Sequence, residues 1–140
     1  MTENFKILAE FVKDISSETP DIQTYIFVKE NIAKYQLNIA INSKPLKNKM
    51  IEINTLIKFE DKTGGDKKSY FEINFSTIIK VDDEIKEKKD LERIILCDVQ
   101  VEIYPDLEKS LLDLLHNSGY PRIKFEKRVD FETLYNQKFN

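Results

Sequence analysis

The sequence predicts an α+β fold, a four-stranded antiparallel sheet with helices packed on one face. Three observations predict it. In the first half of the chain apolar and polar residues alternate in successive short stretches, the period of a half-buried strand. Short, turn-rich connections separate the later stretches, which suits antiparallel neighbours better than parallel ones. Beyond Asp90 the apolar spacing changes to that of a helix. With 140 residues, 41% hydrophobic and 34% charged, the chain suits one packed, charge-coated domain over residues 1–140 rather than a disordered segment.

The first strand is expected from Phe5 to Val12, with Phe5, Ile7, Ala9 and Phe11 on one face and Leu8 and Val12 on the other. Ser16, Ser17, Pro20 and Asp21 then supply turn chemistry, yet this connection runs into Tyr25-Ile26-Phe27-Val28, too apolar for a solvated loop. Tyr35, Leu37, Ile39 and Ile41 alternate with polar or small residues up to Ser43-Lys44-Pro45, giving a second strand. Ile51 to Phe59 and Phe71 to Thr77 form a hairpin around Thr63-Gly64-Gly65-Asp66. Asp90 is expected to cap a helix bearing Leu91, Ile94 and Ile95. Pro105 suits the first turn of a second, with Leu107, Leu111, Leu112, Leu114 and Leu115, ended by Gly119. A short extended stretch, Ile123 to Phe125, precedes a last helix capped by Asp130 and carrying Phe131, Leu134 and Tyr135.

Composition excludes several functions. A net charge of -3 leaves no broad basic surface, so no nucleic-acid partner is expected, and the Lys86, Lys88, Lys89 cluster reads as a solvated helix entrance. Cys97 is the only cysteine, which rules out an intrachain disulfide and suits a reducing compartment. No leading basic-then-apolar segment and no long uncharged apolar window occur, so a cytoplasmic protein without direct membrane insertion is expected.

His116 is the only histidine, so sites needing two histidines are impossible and neither metal nor cofactor is expected. Gly64-Gly65 precedes a strand instead of a helix and reads as a turn, not a phosphate cradle; Asp82-Asp83 and the Glu10, Asp14 pair lack a calcium-loop pattern. The chain is therefore read as non-enzymatic. What remains is surplus apolar surface. Tyr25, Phe27, Leu37 and Ile39 are each worth about 1.5–3 kcal/mol when buried. The surplus is either ordinary core beneath a long connection or a surface for oligomerisation or client binding.

Several blocks, in order, carry a family resemblance: Lys13-Asp14-Ile15-Ser16 followed by Glu18 and Pro20, Leu37-Asn38-Ile39, Tyr104-Pro105, Gly119-Tyr120-Pro121, and Val129-Asp130-Phe131-Glu132-Thr133-Leu134-Tyr135. Together they resemble the SecB protein-export chaperones, over essentially Phe5 to Phe139. The resemblance implies a homotetramer, a dimer of dimers. It also implies an ATP-independent holdase that binds unfolded precursor proteins in apolar grooves and delivers them to the SecA motor. By position it implies that Tyr35, Leu37 and Ile39 line the groove, that Tyr25 and Phe27 lie in a crossover enclosing it, and that Leu112 and Leu115 contribute from the main helix. Asp14 and Glu18 match acidic SecA-contact residues on the sheet surface. Asn74 stands where the family pattern shows an acid, and Val99-Gln100 replaces a cysteine–proline pair. Two other readings stay open: a SecB-like chaperone dedicated to one client, such as a toxin–antitoxin pair, and a small-ligand-binding α+β protein, which would need an enclosed pocket with convergent polar groups.

Overall fold

Alternating sequence becomes four strands in the computed structural model, which describes residues 4–62, 65–121, 123–125 and 129–139, with the side chains of 138 and 139 left aside. The strands are β1 (Phe5–Glu18), β2 (Gln36–Pro45), β3 (Met50–Glu60) and β4 (Tyr70–Val81). They form one antiparallel sheet in the order β1-β4-β3-β2. The predicted class and sheet are thus the observed ones. Thr63 and Gly64, half of the expected β3–β4 turn, lie outside the described residues.

Strand β1 runs well past Val12, and its faces differ from simple alternation. Its register against β4 shifts between Ile7 and Ala9 and again between Val12 and Asp14, leaving Leu8 and Lys13 as the additional residues of two bulges. Each bulge exchanges the faces of the strand residues beyond it. Phe5 and Ile7 lie opposite Val81 and Ile79 on the helix-covered face, whereas Ala9 and Phe11 lie opposite Ile78 and Ser76 on the other. The single apolar face expected for Phe5, Ile7, Ala9 and Phe11 is corrected accordingly.

Because β1 and β2 occupy opposite edges, the connection between them crosses the whole sheet. It is not an irregular loop: Ile22–Asn31 form helix α1, continued by a 3-10 turn at Ile32–Lys34. Asp21 caps α1, its Oδ1 accepting from the Thr24 amide at 2.7 Å, and these Thr24 hydrogen bonds hold the Asp21 carboxyl below the usual range. Val28 is fully buried and Tyr25 is half-buried against the core. Of the expected turn residues, Ser16 and Ser17 lie at the end of β1 and only Asp21 caps the helix, so the run read as one turn divides between a strand and a helix start.

On the covered face, Ile53 opposes Thr77, Ile57 opposes Ile73 and Phe59 opposes Phe71, all buried. Their cover is a continuous helical path of α2 (Lys88–Arg93), a π-helical turn (Ile94–Asp98) and α3 (Val99–Asn117). The two separate helices of the sequence reading are one path, since Arg93, Ile94, Asp98 and Val99 all keep right-handed helical dihedrals. Pro105 lies inside α3, where its missing N–H leaves one helical bond unmade, beside the exposed residue Val101. Nor does Asp90 cap α2: Glu87 holds that position, and Asp90 sits in the first turn, where its charge suits the helix N-terminus.

Val99, Ile103, Leu107, Leu111 and Leu115 recur at helical spacing and are all fully buried, which sets the stripe of α3 that meets the sheet. Thr55 donates to Gln100 Oε1 at 3.0 Å and Gln100 donates to the Ile95 carbonyl at 3.2 Å, so this buried amide is satisfied at both ends. Gly119, at φ 108, ends the turn after α3 as expected. Residues Ile123 to Phe125 form no strand; the Ile123 carbonyl instead accepts from His116 Nε2 at 3.2 Å. Helix α4 (Phe131–Phe139) carries the predicted cap, the Thr133 amide donating to Asp130 Oδ1 at 3.0 Å.

Candidate functional site

Two apolar depressions flank the helix-covered side, and each is built around residues singled out in the sequence. The first lies between α1 with its 3-10 extension and the segment after α3. A cavity of about 460 Å³ is lined by Ile32, Gly119, Tyr120, Pro121, Ile123 and Lys29. A second of about 220 Å³, sharing Ile32 and Ile123, continues along Ala33, Tyr35, Phe59, Lys124 and Phe125. Together they form one trough. Its upper wall is held by Tyr25, whose hydroxyl donates to the Gly119 carbonyl at 2.7 Å and whose ring lies 5.4 Å from that of Tyr120. A Cβ at Gly119 would stand 2.6 Å from the Tyr25 ring, so both the close approach and the positive φ require glycine here.

The floor of the trough is aromatic. Phe59 packs at 5.4 Å from Tyr35 and 5.7 Å from Phe125, while Phe71 packs at 5.8 Å from Tyr120. A buried polar cluster beneath it ties the chain's distant parts together: the Ser69 amide donates to the Tyr35 hydroxyl at 3.1 Å, and Ser69 Oγ lies 2.8 Å from Thr19 Oγ1. Burial, above all, raises the Tyr35 phenol pKa, so the ring stays neutral.

The second depression, about 440 Å³, lies where α4 meets the outer edge of β2, between Ile39, Ile41, Leu96, Phe131 and Tyr135. Phe131 packs edge-on against Tyr104 at 5.4 Å, in a small satellite core with Cys97 that Leu37 and Ile39 join. Arg93 fastens α4 from outside, donating to Glu132 Oε1 at 3.1 Å and lying 5.7 Å from the Tyr135 ring. Burial raises the Cys97 thiol pKa, which leaves it a packing group and not an activated nucleophile. No group of three potential metal ligands occurs among the described residues.

The predicted groove residues separate. Tyr25 and Tyr35 build the first depression, and Leu37 and Ile39 support the second. Phe27 is 37% exposed on α1, and Leu112 is half-buried; neither lines these cavities. Leu115 is fully buried in the main core and has no surface to offer a ligand, because it continues the α3 stripe that meets the sheet. Sequence reasoning missed Ile32, Ile123 and Phe125 as lining, since nothing local distinguishes them from core. Tyr120 and Phe131, by contrast, stood within the blocks that carried the resemblance.

Asp14 and Glu18 lie on the opposite, open face of the sheet, both exposed. Asp14 is directly opposite Asn74, and Glu72, on the same face, is opposite both Ser16 and Lys58. Asn74 therefore stands between Asp14 and Leu56 on this face.

The model of the family described as "Preprotein translocase subunit SecB" matches residues 1–140. This chain belongs to the SecB family. A putative protein-export protein SecB of Pelagibacter ubique (strain HTCC1062) is 57% identical over 140 residues, 100% of both chains. The protein-export protein SecB of Methylocella silvestris is 20% identical, covering 95% of this chain and 81% of that protein. A solved SecB-like chaperone of Mycobacterium tuberculosis, in complex with a ChAD peptide from an antitoxin, superposes with a TM-score of 0.58 at 12% identity, covering 89% of this chain and 91% of that one. The fold is thus that of SecB-like chaperones, and SecB is a chaperone family, not a family of enzymes. Among the described residues of this SecB chain, no helix is long and apolar enough to cross a membrane.

Proposed function

We propose that the chain is a cytoplasmic, ATP-independent holdase that binds unfolded precursor proteins in the two depressions and delivers them to SecA. The observation that carries this reading is the aromatic trough over Tyr35 and Phe59, open to solvent and, among its described lining residues, poor in polar groups that could orient one small ligand. Apolar client segments of varied sequence gain burial there without a fixed hydrogen-bond pattern, and holding the unfolded state withdraws it from aggregation. Tyr25, Tyr35, Leu37 and Ile39 serve the client surface. Phe27 and Leu112 extend it from α1 and α3.

Asp14 and Glu18 are assigned to SecA. Their position on the open face leaves the thickness of the sheet between motor and client, so both can be held at once. Assembly as a dimer of dimers is supported by β1, an outer edge strand that exposes Leu8, Phe11, Val12 and Ile15 at 41–47%. A chaperone dedicated to one client is the second reading, favoured by the antitoxin peptide on the Mycobacterium tuberculosis relative.

Native mass spectrometry of the protein, alone and with one slowly folding precursor in unfolded and folded forms, tests the proposal. A tetramer that captures only the unfolded form is expected. A protein that ignores both forms overturns the general holdase and leaves the dedicated chaperone.

A further inference from the structure

We propose that Arg93 is a positioning residue of the second depression: it latches α4 reversibly, and when the latch opens α4 lifts and the floor beneath it joins the client surface. Use of that floor by clients rests on the holdase reading, whereas the opening itself does not.

The latch starts from the helical path. Between α2 and α3 the chain makes a π-helical turn, in which the Val99 amide donates to the Ile94 carbonyl five residues back. This wider turn sets Asp98 within 3.8 Å of the Arg93 guanidinium. Held on that side, the guanidinium reaches α4 twice: Nη2 donates to Glu132 Oε1 at 3.1 Å, and the group lies 5.7 Å from the Tyr135 ring. Glu132 and Tyr135 are three residues apart on the helix, so one cation grips both from the same side.

The other contacts of α4 are slight. Among its described side chains only Phe131 is buried; Tyr135 is half-buried and Leu134 is exposed. A helix of nine residues depends on such contacts rather than on its own propensity. The Arg93 and Glu132 side chains remain 42% and 63% exposed, so solvent screens their attraction and the latch opens within the native state. Phe131 packs on Tyr104 in the satellite core with Cys97, where Leu37 and Ile39 join them. Lifting α4 withdraws Phe131 from that core and removes one wall of the depression, leaving Tyr104 and Cys97 as an apolar floor beside Ile39. A client anchor too bulky for the closed depression gains burial there.

The test uses the full-length protein. Cys97 is the only cysteine and is buried in that core, so its reaction with dithiobis(nitrobenzoic acid) reads the opening directly. Opening also removes the burial that raises the thiol, so exposure and reactivity increase together. At low salt Arg93→Gln is expected to speed labelling about fivefold, and Arg93→Lys, which keeps the charge without the planar fork, by less. Glu132→Ala should act like Arg93→Gln, and the double variant should label no faster than the faster single one. Salt at about 0.5 M should speed labelling of the parent and leave Arg93→Gln almost unchanged. Unchanged labelling in Arg93→Gln, additive effects in the double variant, or acceleration that merely tracks a lowered urea midpoint overturns the latch. A fluorescent Phe- and Leu-rich peptide should bind Arg93→Gln about threefold more tightly than the parent, and equal binding removes the floor from the client surface. A peptide that binds neither protein while the labelling results hold overturns the holdase reading and leaves the latch standing.

Discussion

The two faces of the sheet are made by the same strands and yet do different work. On the covered face Ile53, Ile57, Ile73 and Ile79 are fully buried, and α3 sets Leu107, Leu111 and Leu115 against that core. On the open face the cross-strand rows are mixed: Asp14, Asn74, Leu56 and Ala40 stand side by side, followed by Ser16, Glu72, Lys58 and Asn38. Substitution on the first face removes burial that the fold depends on, whereas on the proposed SecA assignment substitution on the second changes motor docking alone. On that proposal the alternation of strand side chains keeps motor docking apart from the core.

The sharpest break of this comparison lies within one helix. Leu115→Ala deletes a fully buried side chain and is expected to cost about 2–5 kcal/mol, whereas Leu112→Ala, half-buried on the same helix, should cost about 1 kcal/mol or less. Urea titrations of both variants measure this, and similar losses would mean that α3 is not the boundary between core and surface. A smaller effect is expected on the open face. Converting Asp14 and Glu18 together to lysine should leave stability within about 0.5 kcal/mol and client capture intact, while weakening SecA association by roughly tenfold or more. Unaltered association in a pull-down titration would remove these residues from the docking surface.

The smallest effect concerns a carboxylate that sits on the covered face at its margin. Glu10 lies opposite Thr77, and burial first, then Asp106 and Glu102, raises its pKa above the usual 4.5. The folded state therefore holds this proton more firmly than the unfolded chain does. The ionised group disfavours folding at neutral pH, and the penalty is relieved as pH falls through the raised value towards 4.5. Glu10→Gln should raise the melting temperature slightly at pH 7, and the gain over the parent should vanish near the ordinary glutamate range. A melting temperature lowered by Glu10→Gln at neutral pH would contradict the assigned sign.

Much of the fold was legible because alternation has a clear physical cause. Ile51 to Phe59 and Phe71 to Thr77 each present one apolar face, so their pairing and their buried side followed directly. The Asp130 cap and the Gly119 stop were equally local, since each depends on a few neighbouring backbone groups. Along β1 simple alternation failed because a bulge inserts a residue without a composition signal strong enough to mark it. Helix α1 was missed for another reason: Ile22, Ile26 and Phe27 are exposed while Tyr25 and Val28 face inward, so apolar residues surround the helix and no one-sided period shows.

The candidate surface was legible only in part. Tyr35, Leu37 and Ile39 stood out through the family resemblance, with Leu37 and Ile39 on β2 and Tyr35 just before it, but Ile123 and Phe125 joined Tyr35 and Phe59 only when the segment after α3 folded back. Leu115 resembled Leu112 in sequence and differs wholly in burial, because the rotation of α3 on the sheet decides which leucine meets the core. The sequence by itself determined the α+β class, the apolar face of the central hairpin and the family blocks, since strand period, caps and turn chemistry act over a few residues. Tertiary structure alone decided the faces of β1 beyond its bulges, the helical crossover and the union of Ile32 with Ile123 in one trough. Those features depend on register and on contacts between segments far apart in the chain, which no local pattern encodes.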